Sequence, residues 1–468
     1  MLSRADHQVT VIERDNTPLP NSADEAFEWD RRGAPQVRHS HAFLARLRNL
    51  LRDHYPDVLE ALLAAGATEM RFGENMAPTV TNYVPEPSDS DLGLLACRRT
   101  TFEWVLRKIV VEEGAVKIAT GSGVVGLVAA TGESANVPRV TGVTLDDGRL
   151  LEGDLVIVAN GRRSALPEWL DAIGAVTQPE EVQDTGIVYF SQFYRLNDGQ
   201  DFPTAEGGIG GDLGYLKYGV FVGDNRTFSI TLATSTEDVE LRKLLTNESV
   251  FASIAANLPA TAKWVESGRA EPITPVQSMA GLLNRLRTFV ADGLPIATGV
   301  LPIGDARLCT NPLYGRGCST GFWTAFLAAQ AIADHPDDLV AQAIAYHAAV
   351  VSEVEPHYRS SVAQDGEARR VSSAILNDTN PDGDPNDPRT FMRSVLREGL
   401  FPALRIDAVV LRAFFRAFNL LDAPDTLISN PDVQARVLAV WNTRDERGPE
   451  PTFGPPRAEL MELIGTSA

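Results

Sequence analysis

Apolar and polar positions alternate in three different rhythms along the chain. Val9-Thr10-Val11-Ile12 is a short β-branched run closed by an acid, Glu13, the pattern of a parallel strand buried on both faces. From Ala42 the rhythm becomes helical, with Phe43, Leu44, Leu47, Leu50 and Leu51 on one side. A second helix is expected at about 57–65, ending at Gly66, and a third from about 101 to Gly114; residues 67–96 read as irregular and strand-like. Short strands are expected at 116–119, 124–129 and 140–145, with Asp146-Asp147-Gly148 as a hairpin turn. "LLEGDLVIVANG" then runs as a buried strand into Gly161. Residues 185–235 change character: "TGIVYFSQFYRL", "GYLKYGVFVG" and "NRTFSITLAT" are aromatic or β-branched runs between Gly and Asp turns, which predicts an inserted antiparallel sheet. Helices fill 238–268, the parallel pattern resumes in "LPIATGVLPIGDA", and a helix follows at 319–334. Beyond it the chain is mainly helical, interrupted by a Pro/Asp-rich, disorder-prone linker at 377–390. The predicted class is α/β with an antiparallel insertion and a helical C-terminal region.

Composition narrows the chemistry. At 468 residues, 44% hydrophobic and 22% charged, the chain has ordinary globular composition and room for two or three domains. A formal charge of −20 argues against a nucleic-acid or anionic-membrane partner. Three unclustered cysteines fit a reducing, cytoplasmic compartment. No signal peptide or membrane-length apolar run is expected. His39-x-His41 alone is weak metal evidence, since zinc needs three or four ligands, and no metal is expected.

The richest segment is "LPIGDARLCTNPLYGRGCSTGFWTAFLAAQAIADH". A strand ends at Gly304-Asp305, a loop passes Asn311-Pro312, and Gly315-Arg316-Gly317 precede a long helix. Gly304 allows close backbone approach, and Asp305 offers a carboxylate to a polyol or ribose hydroxyl. The two later glycines leave amide donors open at a helix N-terminus, where negative charge is favoured. Glu13, closing its apolar strand, reads as a ribose-binding acid. A Gly-x-Gly-x-x-Gly turn would stand about 20 residues before such an acid, and no glycine precedes Glu13 in this sequence. A sheet lacking its first strand is therefore expected, with the start codon set too far downstream favoured over a truncated gene.

The segment resembles the second FAD motif of the single-component flavoprotein monooxygenases built like para-hydroxybenzoate hydroxylase. Within them the chain most resembles the bacterial FAD-dependent epoxidases of polyether biosynthesis, which are similar to squalene epoxidase. "RRGAPQVRHSHAFLARL" is similar to their flavin–substrate boundary segment, "RRTTFEWVLR" to a helix start whose first arginine, here Arg99, contacts cofactor, and "GDLVIVANGRRSALPEWL" to a segment ending in Gly-Arg-x-Ser. In the last one, Val158 and Asn160 stand where the family has Asp and Thr. The resemblance implies a Rossmann-like (GR2-type) FAD-binding domain at 1–55, 97–165 and 290–335. It implies a substrate domain at 56–96 and 166–289, and a helical region at 336–468. It also implies FAD held by Glu13, Arg99, Gly161, Gly304, Asp305, Asn311, Pro312, Gly315, Arg316 and Gly317. His39, His41, Tyr189, Phe193, Tyr215 and Phe221 are the substrate-side candidates, and no catalytic residue is assigned. The implied activity is epoxidation or hydroxylation of an apolar, polyene- or terpenoid-like molecule by oxygen through a flavin C4a-hydroperoxide. NAD(P)H or a partner flavin reductase would supply electrons. A reductase of the geranylgeranyl-reductase kind and a non-catalytic remnant that binds FAD poorly remain the alternatives. The W-x-W-x-I-P motif of flavin halogenases is missing.

Overall fold

A computed structural model describes residues 1–74, 76–130, 137–204, 208–384, 387–448 and 451–465. Two pairs of parallel strands lie at its base. The first is β1 (Val9–Glu13). Helices α1 (Ala45–His54) and α2 (Arg99–Glu113) follow, and then β2 (Val116–Thr120), which pairs parallel with β1 from Val9↔Val116 to Glu13↔Thr120. The hairpin partners β3 (Val124–Ala129) and β4 (Val140–Leu145) come next, followed by β5 (Val156–Val158). Among the described residues no strand joins the β1–β2 pair to the pair that β5 makes later in the chain. Val11 on β1 is left exposed.

The expected insertion is an antiparallel sheet centred on β6 (Ile187–Leu196), β7 (Leu216–Val222) and β8 (Thr227–Ser235). Its order is Gly210–Asp212, β7, β8, β6, Ala270–Pro272, with Gln277–Met279 also on β6. One face buries Phe190, Tyr194, Val220, Phe228, Ile230 and Leu232 against helix α3 (Glu248–Asn257). The other face carries Tyr189, Ser191, Phe193, Ser229 and Thr231. Because both faces are covered, every position of β8 is buried and polar–apolar alternation is weak there.

The chain then returns as β9 (Val300–Pro302), parallel to β5 with Val300↔Val156 and Pro302↔Val158. Helices α4 (Gly317–Asp334) and α5 (Leu339–Ala349) pack beside it through Leu327, Ala328, Ala331 and Tyr346. The long α6 (Glu355–Leu376) buries a polar stripe, His357, Ser361, Asp365 and Ser372. Of the expected linker at 377–390, Pro385 and Asn386 lie outside the described residues; around them are turns, and a helix at Pro388–Ser394 is capped by the Asp387 side chain. Helices α7 (Ala408–Phe418), α8 (Pro431–Asn442) and α9 (Arg457–Gly465) complete the C-terminal region. Among the described residues no helix is long and apolar enough to cross a membrane.

The expected start of the first long helix shifts from Ala42 to Ala45. Phe43 is drawn instead into an isolated antiparallel bridge with Leu95, whose N–H donates to the Phe43 carbonyl at 3.0 Å. That pairing is set by a residue far along the chain, which local periodicity does not register.

Candidate functional site

Strand β9 delivers its backbone to a tight turn. Gly304 has φ 55°, and a Cβ there would lie 3.5 Å from the Gly321 Cα of α4. The Gly304 N–H donates to Thr324 Oγ1 at 2.8 Å, which ties the turn to the helix. Asp305 follows, with Arg162 Nε 3.7 Å from its carboxylate. Burial raises the Asp305 pKa, while the charges of Arg162, Arg99 and Arg287 act against that rise. Arg287 also holds the turn through bonds from Nη1 to the Asp305 and Ala306 carbonyls, at 3.2 and 2.9 Å. The carboxylate of Asp305 retains 24% exposure, so a ligand hydroxyl can reach it.

The loop that follows is locked from a distance. The Asn311 side chain donates to Asp365 Oδ1 at 2.7 Å and caps the next turn by accepting from the Leu313 N–H. Asn284 accepts from the Asn311 N–H and donates to Asp365 Oδ2, both at 2.7 Å, and Tyr314 donates to Asp365 Oδ1 at 2.9 Å. Pro312 opens the turn and Gly315 ends it in the left-handed region with φ 66°. A Cβ at Gly315 would stand 2.8 Å from the Ala42 Cβ, so only glycine lets this loop sit against the His39–Ala42 segment. Helix α4 begins at Gly317 with no side chain capping its first turn. The amide donors there stay available to an anionic or electron-rich ligand.

A ladder of charges links this helix start to β1. Glu13 Oε2 lies 3.3 Å from Arg31 Nη2, Arg31 Nη1 lies 3.4 Å from Glu103 Oε2, and Arg99 Nε donates to Glu103 Oε1 at 2.7 Å. Arg99 Nη1 also reaches Cys318 Sγ on the first turn of α4. Glu13, Arg99, Asp305, Gly315 and Gly317 are thus brought to one region. Gly161, with φ 82°, turns the chain after β5 and places Arg162 there as well. Arg316 is different: it is buried, and it donates to the His357 carbonyl and Ser361 Oγ of α6. Its side chain braces the helical layer.

Opposite lies the segment His39–His41, seated on the inner face of the antiparallel sheet. Ser40 Oγ shares hydrogen bonds of 2.7 Å with both Ser229 Oγ and Thr231 Oγ1, and Ser191 Oγ continues the chain to Thr231 Oγ1 at 2.9 Å. His39 Nδ1 is 3.4 Å from Ser191 Oγ, and its ring meets Tyr189 edge-on at 5.3 Å. Burial, aided by the Arg162 charge, lowers the His39 pKa to about 4. Burial and Arg99 lower that of His41 to about 3. Both rings are therefore neutral near pH 7. Phe193 packs edge-on against Phe27 at 5.3 Å. Phe221 follows Val220, which points into the outer core, so the strand's alternation turns it to the inner side. Tyr215 is a correction. It lies in the outer core and donates its hydroxyl to the Pro455 carbonyl at 2.7 Å, away from the histidines. The aromatic pattern marked it, but the pattern does not say which face a residue at the strand's edge joins.

Sequence reasoning missed Arg31, Glu103, Asn284 and Asp365 as members of this constellation, and it gave no role to Arg162 of the Gly-Arg-x-Ser segment or to Cys318 beside the glycine turn. Asp365 left one legible trace, an acid in step with His357, Tyr358 and Ser361 on the buried side of α6. Among the described residues there is no group of three or more His, Cys, Asp or Glu side chains placed to hold a metal.

No family model matches the chain. It is 27% identical over 340 residues to Protein Rv3254 of Mycobacterium tuberculosis, a stretch that covers 66% of this chain and 64% of that relative. The chain thus spans just under two thirds of the relative's length. Among solved structures, it is similar to the flavin-dependent halogenase CmlS, with a TM-score of 0.55, 16% identity, and coverage of 94% of this chain and 74% of that one. The Diels-Alderase PyrE3 of pyrroindomycin biosynthesis gives a TM-score of 0.55 at 15% identity, covering 90% and 77%. PqsL, a probable FAD-dependent monooxygenase from Pseudomonas aeruginosa, gives 0.51 at 15% identity, covering 80% and 91%. The chain has the mixed α/β fold of the FAD-dependent monooxygenases and halogenases.

Proposed function

We propose that this protein is an FAD-dependent monooxygenase. The observation that carries the reading is the convergence of Asp305, beside Arg162, with the uncapped start of α4 behind the Gly315 turn. The residues fit the ribityl and ring half of FAD. Asp305 would bind ribityl hydroxyls, Pro312 and Gly315 would border the ring, and the α4 amides near Gly317 would favour electron density on its pyrimidine side. Glu13, steadied by Arg31, would bond a ribose hydroxyl, and Arg99 would contact the cofactor from the start of α2. FAD, when bound, supplies the oxygen-activating chemistry. The chain's own part is binding, orientation and exclusion of water. Tyr189, Phe193 and Phe221 make the sheet face suited to a small apolar substrate. Neutral His39 and His41 can orient a polar end of it without placing a charge beside it.

Epoxidation or hydroxylation of a polyene- or terpenoid-like molecule is the finer form of the proposal, as is likeness to the polyether-type epoxidases. NAD(P)H or a partner reductase would be the electron donor. The test is the visible spectrum of the chain incubated with excess FAD and desalted, beside that of Asp305→Ala. A flavin band in the wild type and its loss in the variant are expected. A colourless wild type, or an equal band in both, would overturn the assignment. Oxygen consumption coupled to product formation then separates a monooxygenase from a reductase on the same scaffold.

A further inference from the structure

Two residues beyond Asp305 the chain places a positive charge where the flavin reading has no use for one. Arg307 is 1% exposed, among the largest fully buried side chains, and faces a cavity between β9 and α5. Among the described residues no carboxylate forms a salt bridge with it, and its Nη1 has no hydrogen-bond partner. Its Nη2 donates to His347 Nδ1 at 3.4 Å, and its guanidinium lies 5.7 Å from the centroid of the Phe289 ring. The rest of the wall is mainly apolar, with Val300, Leu301, Ala343 and Tyr346. Every other fully or nearly buried arginine in the neighbourhood has oxygen partners: Arg287 bonds Glu180 and two carbonyls, and Arg316 bonds a carbonyl and a hydroxyl.

A guanidinium keeps its proton at any physiological pH, so Arg307 cannot escape by neutralising. An uncompensated buried charge is among the costliest arrangements a fold can hold. Burial lowers the Arg307 pKa, and the charge of Glu355 gives only partial compensation from a distance, since Glu355 itself bonds Arg359. Tyr346 is no substitute, because its hydroxyl donates to the Pro302 carbonyl at 2.6 Å. The open space is about the size of one water molecule, which excludes phosphate or a larger carboxylate and leaves a single-atom ion as the only anion of comparable size.

We propose that Arg307, which lines this cavity beside His347 and has an unpartnered Nη1, binds a single halide ion, chloride in the cell. The site is tied by backbone to the turn that carries Asp305: the Arg307 N–H donates to the Gly304 carbonyl at 2.9 Å and the Arg307 carbonyl accepts from the Arg287 N–H at 3.1 Å. The cavity's lining shares no residue with the candidate flavin site, and its test needs no flavin.

The experiment follows thermal unfolding of the full chain in sodium chloride against sodium gluconate at equal ionic strength. Wild type is expected to gain about 3 °C in chloride at a hundredfold excess over its Kd. Arg307→Met is expected to show no difference between the two salts. An equal gain in wild type and variant, or no gain in wild type, would overturn the site. Should Arg307→Met fail to fold, crystals of wild type soaked in sodium bromide decide the matter. An anomalous bromide peak in contact with Nη1 supports the proposal, and a water or no density there overturns it.

Discussion

Asp224 shows what a single residue can carry in this fold. It is fully buried and takes hydrogen bonds from the Arg98 backbone N–H at 2.7 Å, from Arg98 Nε and Nη2, and from Thr101 Oγ1 at 2.8 Å. Burial alone would raise its pKa, but the Arg98 hydrogen bonds and charge outweigh it and hold the carboxyl below its usual range. Arg98 precedes α2 and Asp224 lies in the turn between β7 and β8, so the pair fastens the antiparallel sheet to the helix that presents Arg99. Removing Asp224 leaves the Arg98 guanidinium buried with only the solvent-exposed Asp24 carboxylate, 3.4 Å from Nη2, as an acidic partner. Asp224→Ala should therefore lose about 3–5 kcal/mol of unfolding free energy, read as a drop in urea midpoint; a loss under about 1 kcal/mol would show that water takes the place of the carboxylate. Residues of this kind are the hardest to find in a sequence. Asp305 and Gly315 were legible because turn chemistry and helix starts are local. Asp224 was not, because its partners stand far away in sequence and nothing near it marks it as buried, and Asp365 showed only its helical phase with His357 and Ser361, not the distant Asn284, Asn311 and Tyr314 that it binds.

At the scale of elements, periodicity located most of the framework, and β1 was placed residue for residue. What it could not supply was docking. The C-terminal region read only as helical, yet α9 lies across the outer face of the antiparallel sheet, with Leu460 and Ile464 fully buried in the same core as Phe228 and Phe251. Arg457 at its start forms two bonds of 2.8 Å to Asp238, and the Pro455 carbonyl just before it accepts from Tyr215. The last helix thus closes a layer begun more than two hundred residues earlier. Such a closure depends on tertiary pairing, and short amphipathic helices look alike whatever they cover. Ending the chain after Gly448 should uncover this apolar face. Burying two aliphatic side chains contributes about 3–6 kcal/mol as an upper figure. The shortened chain should melt several degrees lower and bind a hydrophobic dye in its folded state. Unchanged melting and no dye binding would show that α9 adds nothing to the sheet.

Over the whole molecule, composition reported net charge but could not report which charges are suppressed. His39 and His357 are 5% and 2% exposed and sit in different parts of the structure, one against the antiparallel sheet and one under α4. Burial lowers their pKa values to about 4 and about 3, with Arg162 adding to the first and Arg316 and Arg46 to the second. An unfolded histidine titrates near 6.5. Between about pH 6.5 and 4 the unfolded chain therefore binds protons that the folded chain refuses, so stability falls as the pH falls through that window. Asp305 and Asp365 act in the opposite sense: burial raises their pKa values, so the folded state holds their protons more readily and gains stability as the pH falls. The wild-type slope is the difference between these contributions, which is why a variant is the sharper probe. Each buried neutral histidine should contribute about 1.4 kcal/mol per pH unit. In urea unfolding from pH 6 to 4.5, His39→Gln should flatten the fall in stability by that amount, and His357→Gln should do so again independently, since the two rings share no partner. Parallel lines for wild type and both variants would mean that the two rings take up protons without unfolding the chain, and that the cleft beside Arg162 is open to water.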